Sequence, residues 1–224
     1  MAVVKGILGR KLGMTQLFDE KGQVVAATVV EAGPCVVVQR KTAERDGYDA
    51  VQLGYGEVRE KKVNRPMKGH FEKAKQGGVT PRRVLAEFRF AAYEGLEVGG
   101  EIKADAFQPG ERVSIAGITK GKGFAGIIRR YGAHGGPATH GSMFHRRPAS
   151  AGATDAARVF KGVKRPGHYG SVRRTTRGLR VVEVDAEKNL LVIRGAVPGA
   201  NGALLRITVP VQHPRRQAKV KAIS

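Results

Sequence analysis

The stretch GKGFAG, Gly121–Gly126, carries the G-x-G-x-x-G spacing with which backbone amides cradle the pyrophosphate of a dinucleotide. That chemistry needs a strand before the glycines, a helix opening on them, and an acid about 20 residues further on for the ribose hydroxyl. A strand-like run, RVSIAGI, does precede the glycines. The following IIRRYGAHGG loses helical character at Gly132 and breaks at Gly135-Gly136-Pro137, and no Asp or Glu occurs between Gly121 and Asp155. Nor is there a G-x-x-x-x-G-K-[ST] loop. Instead Lys120 and Lys122 interleave with Gly121 and Gly123. Glycines without a Cβ let amides approach phosphate closely, and the lysines neutralise it. The expectation is therefore contact with a polyphosphate and no nucleotide cofactor, the plain alternative being a flexible exposed loop.

Other chemistries are poorly served. His134, His140, His145 and His168 follow one another at spacings that match no standard zinc pattern, without cysteine or acid to help, amid cations that repel a metal ion. No metal is expected. No paired carboxylates flank these histidines for acid–base work, and neither Ser142 nor Ser150 sits in a G-x-S-x-G elbow. No enzyme activity is expected. Histidine can instead stack on bases or donate to phosphate.

A cationic theme runs through the same region: Arg129-Arg130-Tyr131, Phe144-His145-Arg146-Arg147, Arg158, Phe160-Lys161, Lys164-Arg165, and then Arg173, Arg174 and Arg177. Guanidinium groups fork onto phosphate or stack on bases, and aromatic rings offer π-faces to unpaired bases. Each aromatic could equally be a local packing anchor. Nothing resembles an RNA-recognition motif, a KH loop or a helix-turn-helix.

The elements that must position these groups divide by charge. The 224 residues carry a formal net charge of +21. Residues 119–178 hold thirteen basic side chains and one acid, Asp155, together with 12 glycines and few large apolar residues. A segment of this kind cannot bury enough apolar surface to offset its chain entropy, and by itself it reads as a long functional or disordered excursion. So uneven a cationic excess points to a polyanionic partner, nucleic acid before anionic membrane.

The flanks read differently. Val24–Val30 and Cys35–Gln39 are β-branched runs parted by EAGP, and DEKGQ (Asp19 to Gln23) reads as a hairpin turn. YDAVQLGYG, RRVLAEFRF and FQPGERVSIAG add short strands, and LRVVEVD, NLLVIRG and ALLRITVPV return to strand after the excursion. Many short strands with frequent turns favour a mainly β barrel or sandwich. One helix is predicted over Lys68–Gln76, ended by Gly77-Gly78, and the ending HPRRQAKVKAIS reads as a basic tail. The single cysteine, Cys35, lies in an apolar run and reads as a buried thiol. No 18-residue apolar run exists and the start has no signal-peptide core, so a cytoplasmic location is expected.

Several stretches together resemble the bacterial large-subunit ribosomal protein L-three family. These are GRKLGMTQLF (Gly9–Phe18), KGHFEKA (Lys68–Ala74), ITKGKGFAGIIRRYG, ATHGSMFHRRPAS, FKGVKRPGHYG and RGAVPGANG (Arg194–Gly202), in the family's order and spanning nearly the whole chain. The resemblance implies a closed β-barrel similar to those of translation factors, with one or two short helices. The barrel body would comprise 1–118 and 179–210, with a helical insert near 66–78. Residues 119–178 would form an irregular loop reaching into ribosomal RNA, its tip around Gly141 to Ala157, and 211–224 a basic tail. It further implies a structural part of the large subunit, in contact with large-subunit rRNA and neighbouring ribosomal proteins. The family starts subunit assembly near the rRNA 3′ end and braces RNA around the peptidyl-transferase centre. Many bacterial relatives carry a methylated glutamine near the tip; SAGATDAAR (Ser150–Arg158) has none, so that modification is not carried over. The alternative is a non-ribosomal RNA-binding protein or RNA chaperone.

Overall fold

The computed structural model describes residues 5–74, 78–89, 97–148 and 150–209. The chain divides into two compact units, Thr119–Arg173 and the remainder.

The larger unit is built on a closed barrel, so the choice between barrel and sandwich falls to the barrel. Its six strands are β1 (Gly6–Phe18), β2 (Val24–Ala32), β7 (Arg112–Ile118), β10 (Arg173–Asp185), β11 (Leu190–Arg194) and β12 (Leu204–Thr208). They close in the order β1-β12-β7-β10-β11-β2. Ile7, Val30, Ile115, Leu191, Ile193, Leu205 and Ile207 alternate inward along these strands and are fully buried. Their number explains how a chain without tryptophan fills a barrel. Closure leaves these strands no free edge to pair with a foreign chain.

A four-stranded sheet in the order β5-β4-β3-β6 accompanies the barrel. Its strands are β3 (Cys35–Lys41), β4 (Ala50–Glu57), β5 (Arg82–Phe88) and β6 (Glu101–Ile102). Strand β3 is apolar at four successive positions because both of its faces are covered. Cys35 and Val37 join the main core, whereas Val36 and Val38 meet Phe71 and Ala74 of a helix. Burial pushes the Cys35 thiol up to about 12, so it is an inert thiol rather than a nucleophile.

That helix, α2 (Arg65–Ala74), follows a one-turn α1 (Ala43–Asp46). It begins three residues before the predicted Lys68, because the Asn64 side chain accepts the Met67 N–H at 3.1 Å and caps the first turn. Pro66 sits in that turn, where a missing N–H costs nothing. The predicted end at Lys75 and Gln76 lies outside the described residues. Met67, Phe71 and Ala74 share one face and pack on the sheet; burying Phe71 alone contributes about 2–3 kcal/mol.

Turn chemistry agrees with the residues. Asp19 accepts the N–H groups of Lys21 and Gln23 at 3.0 and 2.8 Å, closing the β1–β2 hairpin. The Lys188 N–H donates to Asp185 at 3.0 Å between β10 and β11. One strand exceeds its predicted length: β10 starts at Arg173 rather than Leu179, because RRTTR carries strand propensity through its threonines. Arg173, Arg174 and Arg177 therefore stand on a strand and not in irregular chain.

Lys41, Tyr48 and Glu87 form a closed triangle. Lys41 Nζ meets Glu87 at 2.6 Å and donates to the Tyr48 hydroxyl at 2.9 Å, and that hydroxyl donates to Glu87 at 2.8 Å. Hydrogen bonds from Lys41, then from Tyr48, hold the Glu87 carboxyl below its usual range. A depressed carboxylate stabilises the fold above its unfolded pKa of about 4.3 and loses that contribution as pH falls through the folded value. Glu87→Gln is therefore expected to lower the melting temperature at pH 7 and to narrow its gap to the parent chain below about pH 4. Thermal melts of both chains between pH 3 and 7 check this; a gap independent of pH would refute it.

Candidate nucleic-acid interface

The smaller unit, Thr119–Arg173, has almost no core: among its described residues only Ala125 and Gly170 are buried. Its order comes from backbone pairing. The chain leaves along β8 (Phe124–Ala125) and returns along β9 (Gly167–His168), with Phe124 opposite His168 and Ala125 opposite Gly167. Further hydrogen bonds extend this ribbon. The Lys122 N–H donates to the Tyr169 carbonyl and the Tyr169 N–H to the Gly123 carbonyl, both at 2.9 Å, and the Thr119 N–H to the Val172 carbonyl at 3.0 Å.

The glycine motif is thus part of a two-stranded ribbon. Strand β8 lies inside GKGFAG, and the helix after it, α3 (Ile127–Tyr131), has five residues. The turn ends at Gly132, where the sequence loses helical character. It forms because Gly126 opens it and Gly132, at φ 66°, closes it with its N–H on the Ile128 carbonyl. With α1 and α2 there are three short α-helices among the described residues. A single turn of helix is not the long one on which a dinucleotide rests.

Arginine and aromatic side chains brace the unit from within. The Arg130 guanidinium donates to the Arg165 carbonyl at 2.9 Å and lies over the Tyr131 ring at 5.0 Å, with Lys164 over the same ring at 5.8 Å. Lys122 stands over Tyr169 at 4.8 Å, and Arg158 over Phe160 at 4.9 Å. The Gly136 N–H donates to the Phe144 carbonyl at 2.8 Å, and a His145 ring nitrogen lies 3.0 Å from the Pro137 carbonyl.

Of the residues singled out from the sequence, Arg130 and Arg165 are half-buried. Lys120, Gly121, Lys122, Gly123, Arg129, His134, His140, His145, Arg146, Arg147, Arg158, Lys161, Lys164, His168, Arg173, Arg174 and Arg177 are all exposed. Arg130 is thereby an internal strut, its guanidinium held on the Arg165 backbone carbonyl. The histidines gather no metal site: among the described residues no three His, Cys, Asp or Glu lie close enough to hold an ion. Asp155 forms no ion pair among the described residues.

One polar feature escaped the sequence reading. A cleft of about 650 Å³ in the larger unit is lined by Arg10, Glu31, Tyr55, Glu57, Arg82 and Arg83. Arg82 pairs with Glu57 at 3.4 Å, while its Nε is buried without a hydrogen-bond partner. Burial, then the nearby Glu31, pushes the Tyr55 phenol up to about 12. These residues come from four strands at unrelated spacings, so no linear signal could have grouped them.

A closed six-stranded barrel with a glycine-rich, cationic ribbon inserted between two of its strands defines a mainly β protein whose cations are gathered in one inserted segment. The family model for ribosomal protein L3 matches residues 57–194. Large ribosomal subunit protein uL3 of Carboxydothermus hydrogenoformans is 57% identical over 208 residues, covering 93% of this chain and 98% of that protein. Its counterpart in Pelotomaculum thermopropionicum is 56% identical over 203 residues, covering 91% and 95%. The chain belongs to the ribosomal protein L3 family, whose members are structural parts of the large subunit and not enzymes. Among the described residues no helix is long and apolar enough to cross a membrane.

Gly170 holds the ribbon shut. Its φ is 76°, and a Cβ there would collide with the Lys120 carbonyl. Strain of this kind costs about 1–3 kcal/mol. Gly170→Ala is expected to speed amide hydrogen exchange at Lys122 and Tyr169 by roughly tenfold or more, since 1.4 kcal/mol is a factor of ten in an opening equilibrium. Unchanged exchange at both amides would show that the ribbon does not depend on this glycine.

Proposed function

We propose that the chain binds large-subunit rRNA directly as a structural member of that subunit. On this reading the barrel body, 1–118 and 179–210, packs against RNA and neighbouring ribosomal proteins. The 119–178 segment lies within RNA and braces it around the peptidyl-transferase centre, and 211–224 adds a basic tail. The protein helps to start subunit assembly near the rRNA 3′ end. The name of the relatives, large ribosomal subunit protein uL3, supports the location. One observation carries the RNA contact: a unit with almost no core exposes nearly all its basic side chains, and its one acid, Asp155, pairs with none of them among the described residues.

The physical reason is counterion release. Each cation that settles on a phosphate frees a condensed counterion, so affinity falls with salt by about 0.7 to 0.9 logarithmic units per contact. Exposed Lys120 and Lys122 suit this role because the ribbon holds them beside glycines that let a backbone approach. Half-buried Arg130 suits a bracing role and contributes less to the salt dependence.

Titration of the full chain with large-subunit rRNA at several salt concentrations tests the reading. Lys120→Ala combined with Lys122→Ala is expected to make the slope shallower by about 1.4 to 1.8 in all. An unchanged slope would remove these lysines from the interface. A chain lacking 119–178 is expected to keep the barrel by circular dichroism yet fail to support normal subunit maturation. Normal particles from that deletion would overturn the role given to the segment, and release of the intact protein from particles by a high-salt wash would favour a dissociable RNA chaperone.

A further inference from the structure

We propose that Phe124 and His168 form a stacking platform for one unpaired RNA base, resting on the reading of the chain as an rRNA binder. Phe124 is 80% exposed although it sits in a hydrogen-bonded ribbon. Its cross-strand partner is His168, also exposed. Directly opposed residues of an antiparallel pair project from the same face with Cβ atoms about 4.5–5.5 Å apart. The ribbon therefore sets Phe124 and His168 on one face. Its next pair, Ala125 and Gly167, takes the opposite face, where Ala125 is buried.

Three other rings of this unit are already engaged. Tyr131, Tyr169 and Phe160 each lie under a lysine or arginine, which stiffens the unit and occupies a π-face. Among the described residues, Phe124 is in no such contact. Phe144 is the alternative platform, but it is less exposed, at 55%, and lies outside the β8–β9 ladder.

The partner's chemistry follows from the surroundings. Lys120 and Lys122 lie four and two residues before Phe124, and no acid lies between Gly121 and Asp155. An apolar surface or a neutral peptide would not call for that charge. A nucleobase would: it brings a flat π-face to the phenyl ring and a phosphate within reach of the lysines. The His168 ring can add a hydrogen bond to the base edge or to its phosphate. Stacking of this kind is tolerant of sequence, so the platform selects an unpaired base and not a particular one.

Subunits assembled from large-subunit rRNA with the full-length chain provide the test, read as the reactivity of each rRNA base towards a small alkylating reagent. The parent chain and Phe124→Tyr are expected to protect an unpaired base. Phe124→Leu, which keeps bulk but loses the π-face, is expected to raise that base's reactivity roughly tenfold, in line with stacking energies measured by substitution. Met143→Ala is the control, since Met143 is equally exposed at 85% but has no ring; it is expected to leave the base protected. Unchanged amide exchange at Tyr169 in Phe124→Leu shows that the ribbon is intact. Full protection by Phe124→Leu, or loss of it with Met143→Ala, would overturn the platform while leaving RNA binding standing. No protection of any base by the parent chain would instead overturn the reading of the chain as an RNA binder, and the platform with it.

Discussion

Repulsion among like charges is the constraint on which the smaller unit turns. Thirteen cations and one acid are confined between residues 119 and 178. They have no apolar core to hold them together against that repulsion, so the segment depends on backbone hydrogen bonds and on cations laid over rings. The β8–β9 ribbon and the Arg130–Arg165 strut gather the two ends of the unit. Between them the remaining basic side chains stay in water, where screening makes their proximity tolerable. A polyphosphate would neutralise what the unit itself cannot.

The larger unit solves the opposite problem. It has apolar residues in plenty, and valine, isoleucine and leucine side chains fill its core together with Phe88 and Phe107. Lys11, the one buried lysine among the described residues, is accommodated because its ammonium donates to the Val197 and Gly199 carbonyls at 3.3 Å each. A buried charge that meets carbonyl oxygens costs far less than one that meets hydrocarbon. The same contact ties the turn between β11 and β12 to β1, joining residues 186 positions apart.

Strand β3 and helix α2 show how local and distant forces divide. The apolar run CVVVQ reads as a strand at once, yet whether it lines one core or two cannot be told from its own residues. Val36 and Val38 are buried only because α2 covers them, and α2 is held there by Met67, Phe71 and Ala74. The helix starts three residues before the predicted Lys68 for a similarly specific reason. Asn64 looks like any loop residue until its side chain is seen to cap the Met67 N–H.

Much of this protein was legible in the order of its residues. β-branched runs and turn residues marked the strands, charge set the 119–178 segment apart, and quoted motifs pointed to the family. These features are local, and short-range sterics and electrostatics act on neighbours in sequence. Which elements meet was decided by the tertiary structure alone. The closing of the barrel, the Arg10–Arg82–Arg83 cleft, the withdrawal of Arg130 into a strut and the pairing of Phe124 with His168 all join residues far apart in the chain. Such contacts arise from burial and from ladder register, and neither exists until the chain has folded back on itself.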